Sequence, residues 1–126
     1  MTKKQQKRNE DLAKEIRQWM LDHEIWVDTY IYFNGKCYGT SDKECKHFYY
    51  NDAEHLVEYE DDPSEYMEYC NKDTITMTFE GGLYDILNQY WGRYGYKLEE
   101  EFRKIFEKYG YYYELGYAWS LAAYEL

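Results

Sequence analysis

Cys45 and His47 stand two apart, and Cys37, His23 and His55 are the other thiol and imidazole groups of the first half of the chain. A zinc site would bring three or four such ligands together, ordinarily as pairs at short fixed spacing. That pairing is absent, so the residues read as an idle thiol beside a surface imidazole, and no metal or other cofactor is expected. A nucleophile built on Cys37 or Cys70 would need a histidine from a distant part of the chain. Carboxylates are too plentiful to single out an acid–base pair. Gly81-Gly82 ahead of a helical stretch could present N–H groups to an anion, but no Lys or Ser/Thr pattern accompanies it, and a plain turn is the simpler reading. No catalytic residue is expected.

The constellation that does stand out is charge. Between Asn51 and Asn71 lie eight carboxylates in 21 residues, with no Lys or Arg. Tyrosines and a methionine are interleaved with them, and such side chains commonly anchor interfaces. The site expected from this segment comprises Asp52, Glu54, Glu58, Tyr59, Glu60, Asp61, Asp62, Glu65, Tyr66, Glu68 and Tyr69. Two readings stand side by side: a solvated face that aids solubility, and a recognition surface. On a strand, carboxylates at i and i+2 lie about 6.6 to 7 Å apart, comparable with a row of phosphates along nucleic acid. Such a row suits a groove built for DNA or RNA.

The bulk properties bound the possible partners. With 15 basic against 25 acidic residues the net charge is −10, which argues against nucleic acid or an anionic membrane as the direct partner and favours a basic protein surface. Of the 126 residues, 44% are hydrophobic and 18 are Tyr, enough to order a core and leave amphipathic rings for contact. Three cysteines without a secretory signal, and no apolar run of membrane-span length, lead to the expectation of a reduced, cytoplasmic chain.

The elements that must carry this segment follow from periodicity. Residues 1–8 read as a flexible basic lead-in, and residues 9–126 as one domain. Asn9 reads as the cap of a helix over about 9–22, with Leu12, Ile16, Trp19 and Met20 on one face. From Ile25 to Phe33 the period is two, with Trp26, Asp28, Tyr30 and Tyr32 opposite Ile25, Val27, Thr29, Ile31 and Phe33; this is a strand with aromatics on both faces. Asn34-Gly35 predicts a two-residue hairpin into 36–40. Residues 41–52 read as a loop with a short strand. Residues 54–60 read as a strand, a helix from Asp52 being the alternative. Asp62-Pro63-Ser64-Glu65 starts a short helix running to Cys70.

Thr74–Phe79 is the cleanest strand pattern. A helix over Leu83–Trp91 stopped by Gly92 and Gly95, and another over 97–109 capped by Gly110, complete the helical set. Bulky and small residues alternate over 111–122, which favours one long strand over a helix through Leu115, Trp119 and Ala122. The sum is an α+β fold, an antiparallel sheet of four to five strands packed with about three main helices.

The run Asp62-Pro-Ser-Glu-Tyr-Met-Glu-Tyr-Cys-Asn71, followed by Thr74 through Asn88, resembles segments of small accessory proteins of bacterial phages and conjugative elements. The resemblance covers about a quarter of the chain. It implies an anti-CRISPR or antirestriction context, in which small acidic proteins block the nucleic-acid groove of a host nuclease, and it implies no residue roles. The dense tyrosines and the 15 basic residues depart from a wholly acidic nucleic-acid mimic, so a local patch is expected. The leading expectation is thus a non-enzymatic inhibitor binding a basic, nucleic-acid-processing host protein. The alternatives are a small hydrolase of a nucleotide signal and a self-associating regulatory or structural subunit.

Overall fold

Helix formation begins at the N-terminus, earlier than the sequence reading placed it. In the computed structural model, which describes Met1–Leu126, α1 runs from Lys3 to Asp22. The Thr2 hydroxyl accepts the Gln5 N–H at 3.0 Å, and a capped first turn makes residues 3–8 part of the helix rather than a lead-in. Asn9 is therefore not a cap. It lies in mid-helix, fully buried with Leu12, Ala13, Ile16 and Met20. Its Oδ1 accepts the Tyr111 hydroxyl at 2.6 Å, and its Nδ2 donates to the Asp73 carbonyl at 3.1 Å.

α1 ends where Glu24 turns left-handed (φ 56°) and the Ile25 N–H reaches back to the Met20 carbonyl at 2.9 Å. That closure is of the Schellman kind and uses up Ile25. The first strand, β1, consequently spans only Thr29–Phe33. Asp28, at φ 49°, breaks the extended run that the alternation suggested. Asn34 and Gly35 have φ of 52° and 76°, the geometry of a type I′ turn, and they lead directly into β2 (Lys36–Gly39). β3 (Val57–Glu60) pairs with β2, after a loop held by the Ser41–Phe48 bridge.

The segment after β3 departs from expectation. Asp62 does cap, accepting the Ser64 N–H at 3.0 Å, but only a 3₁₀ turn forms at Pro63–Glu65, not a helix to Cys70. The chain then turns left-handed at Tyr69. β4 (Ile75–Phe79) is paired on both sides, and α2 (Gly81–Leu87) follows it. α2 stops short where Gln89 turns left-handed (φ 66°) and the Tyr90 N–H reaches back to the Asp85 carbonyl at 2.8 Å. Gly92 and Gly95, read from the sequence as stops, lie inside α3 (Gly92–Lys108). Gly95 is buried, and a Cβ there would meet Trp91 Cβ at 2.9 Å.

The C-terminus is neither one long strand nor a helix but a hairpin, β5 (Tyr111–Leu115) and β6 (Ser120–Glu125). Its turn is closed by Gly116 N–H to the Ser120 carbonyl at 3.1 Å and by Tyr117 N–H to Ser120 Oγ at 2.9 Å. The sheet thus has six strands rather than four to five, all antiparallel, in the order β3-β2-β1-β4-β6-β5.

The helices cover one face of this α+β sheet. Ile31, Phe33, Tyr38, Ile75, Met77, Phe79 and Leu121 pack there against Leu12, Ile16, Met20, Leu83, Leu98, Phe102 and Phe106 in a single core of 22 buried residues. The registers place Tyr30, Tyr32, Cys37, Tyr59, Thr76 and Thr78 on the opposite face, which carries no helix.

Candidate functional site

β3 is an edge strand, and alternation divides its side chains between the two faces of the sheet. Glu58 and Glu60 share the helix-side face, and both are exposed. Glu58 lies 3.4 Å from Lys36 Nζ, and the Glu60 carbonyl accepts Lys43 Nζ at 3.0 Å, so two lysines interrupt the acidic edge. Tyr59 points to the opposite face beside Cys37, its register partner. Burial drives the Tyr59 hydroxyl well above its ordinary range, and the neighbouring thiol adds to this. Cys37 itself is fully buried, and burial pushes its thiol up to about 12. It is a neutral packing group at ordinary pH, not a thiolate.

The remaining sequence-expected residues fall into three groups. Asp52 and Glu54 belong to the loop before β3: Asp52 binds the His55 ring at 2.6 Å and the Glu54 N–H at 3.0 Å, and its carbonyl accepts from Arg17 of α1. Asp61 and Asp62 build the turn, Asp61 accepting the Tyr66 hydroxyl at 2.9 Å and Asp62 capping Ser64. Glu65, Glu68 and Tyr69 are exposed. Glu68 accepts the Tyr117 hydroxyl at 3.4 Å, while Tyr69 packs edge-on against the Tyr117 ring. Several of these carboxylates thus hold local structure, whereas Glu54, Glu60 and Glu65 make no side-chain hydrogen bond.

Sequence reasoning missed what the turn encloses. Between Tyr66–Met67 and Trp119, over the helix-free face of β1 and β4, lies a cleft of about 510 Å³, lined also by Asp28, Tyr30, Tyr32, Thr78, Phe79 and Glu80. Burial pushes the Tyr32 hydroxyl up to about 12, keeping the floor uncharged. Trp119 is fixed by the Phe79 N–H, which donates to its carbonyl at 2.8 Å, and by a 4.9 Å stack on Tyr117. The available signal was the outward row Asp28, Tyr30, Tyr32 of the first strand pattern. Nothing local linked that row to Trp119, roughly ninety residues on, or to Glu80. Exposed aromatics also gather where α2 meets α3, at Tyr90, Trp91, Tyr94 and Tyr96.

Groups of three or more His, Cys, Asp or Glu placed to hold a metal ion do not occur, and no helix is long and apolar enough to cross a membrane. Comparisons with family models, curated proteins and solved structures yield no match for this chain.

Proposed function

We propose that the chain is a non-enzymatic protein-binding domain that inhibits a nucleic-acid-processing enzyme of bacterial defence, a CRISPR effector or a restriction enzyme, in the host cytoplasm. It would lay its acidic edge in that enzyme's basic groove. The observation that carries this reading is the open edge of the sheet, where Glu58 and Glu60 project side by side from β3 and the chain continues into the exposed Glu65. The net charge of −10 would steer association with a basic surface. Tyr66 and Tyr69, at 62% and 56% exposure, supply ring area to bury next to Glu65 and Glu68, their neighbours along the chain past β3.

The test is a triple charge reversal, Glu58→Lys, Glu60→Lys and Glu65→Lys, which spares Asp61 and Asp62 because they hold the turn. In a target-cleavage assay with purified CRISPR effectors and restriction enzymes, the native chain should block cleavage by its partner. The reversal should weaken inhibition at least about 100-fold, since several kcal/mol of like-charge repulsion replace attraction. Circular dichroism should show the same fold. A triple variant that inhibits as well as the native chain would sink the acidic-edge mechanism.

A further inference from the structure

The cleft on the helix-free face has a polarity of its own. Its floor and walls are aromatic: Tyr30 and Tyr32 from β1, Tyr66 from the turn after β3, and Trp119 from the β5–β6 turn. At one end the Glu80 N–H donates to the Asp28 carbonyl at 3.0 Å, which sets two carboxylate-bearing residues side by side where the β1–β4 ladder finishes. The Asp28 carboxylate accepts one hydroxyl, that of Tyr50. The Glu80 carboxylate makes no capping bond to α2 and has no hydrogen-bond partner elsewhere. None of the nine lining residues is Lys or Arg.

From these features we infer that the cleft is a guanidinium site, which receives one arginine side chain from an extended segment of a partner protein. A planar cation stacks on tryptophan and tyrosine faces, and its fork of N–H donors matches paired carboxylates. An ammonium group lacks the plane and holds its water more tightly, so lysine is the poorer fit. An anionic or purely apolar occupant would leave Asp28 and Glu80 opposed or desolvated without compensation. The chain offers no cation of its own to the cleft, so charge complementarity points to a partner. The charge complementarity belongs to this chain alone and holds whether or not that partner is a nuclease.

The probe is acetyl-Gly-Arg-Gly-amide, titrated at low salt into the ¹⁵N-labelled protein. Its controls are the same peptide with lysine and with citrulline, the uncharged isostere. Saturable shifts should appear at the Trp119 indole N–H and at the amides of Asp28, Tyr30, Thr78 and Glu80. The citrulline peptide should bind about tenfold more weakly, with lysine between the two. Glu80→Gln and Trp119→Leu should each weaken arginine binding severalfold while leaving distant amide shifts in place, and Glu58→Lys should leave it unchanged. Equal binding of arginine and citrulline, shifts centred on β3, insensitivity to both cleft variants, or no binding at all would overturn the assignment. Because no enzyme is present, such a failure is distinct from failure of the inhibition test.

Discussion

Replacing Asn9 by leucine should destabilise the protein by about 3 kcal/mol, because it orphans a hydroxyl sealed in the core. Tyr111 is fully buried and donates to Asn9 Oδ1 at 2.6 Å. With that acceptor gone the hydroxyl has no water to turn to, and a buried unpaired group of this kind costs about 1–3 kcal/mol. The larger aliphatic side chain adds strain in a packed site. The Asp73 carbonyl would stay satisfied, since the Gln5 side chain also donates to it at 2.9 Å. For a chain of this size the loss corresponds to a melting point lowered by about 10 °C.

The decisive comparison is the double variant Asn9→Leu with Tyr111→Phe. Removing both polar partners leaves neither unsatisfied, so the double variant should be more stable than the sum of the two single losses implies, by about 1 kcal/mol or more. Urea unfolding followed by tryptophan fluorescence measures all three. Strict additivity would show that the pair is not the tie between α1 and β5 described above.

Asn9 also illustrates how far the sequence could be read. Residue type alone makes an asparagine ahead of an apolar stripe look like a helix cap, and only the tertiary position of Tyr111, about a hundred residues away, reverses that role. The Asn34-Gly35 hairpin was legible because its cause is local: two residues that tolerate positive φ, flanked by alternating strands. The α+β class and the β4 pattern were legible for the same reason. The C-terminal hairpin was not, because the bulky and small residues keep period two across the turn at Gly116–Trp119. The turn there depends on Ser120, and Gly116 packs close against Tyr69, both contacts invisible to periodicity. In the acidic segment, the shared exposed face of Glu58 and Glu60 followed from alternation, whereas the place of their strand at the sheet edge did not. The capping role of Asp62 was legible too, because its cause is local, whereas the closing of a cleft by Tyr66 with Trp119 required the sheet order.

Alkali should unfold the protein between about pH 9 and pH 12, and the cause lies under the cleft. Cys37 ordinarily ionises near 9.0, but burial in the folded chain pushes it up to about 12. Tyr32, on the same face, is pushed by burial from 10.0 up to about 12, with the Cys37 thiolate opposing its ionisation. Between the ordinary and the raised values, unfolded chains have released protons that folded chains still hold. Stability is therefore fully present below pH 9 and falls as pH rises toward 12. Each pH unit of displacement is worth roughly 1.4 kcal/mol, so Cys37 alone withdraws roughly 4 kcal/mol by pH 12, a large part of the 5–15 kcal/mol that holds most domains together. Tyr38, also raised to about 12 by burial and by the nearby Glu58 carboxylate, acts in the same direction.

Near-ultraviolet circular dichroism should lose its tyrosine signal cooperatively in this window, and the tyrosinate absorbance contributed by the buried rings of Tyr32 and Tyr38 should rise as a step with it. Cys37→Ala removes the largest single contributor and should move the midpoint to higher pH relative to its own stability at pH 7. A native spectrum persisting at pH 12, or a midpoint indifferent to Cys37→Ala, would mean that water reaches this side of the sheet, and that the floor of the cleft is wetter than the packing of Tyr32, Cys37 and Tyr59 implies.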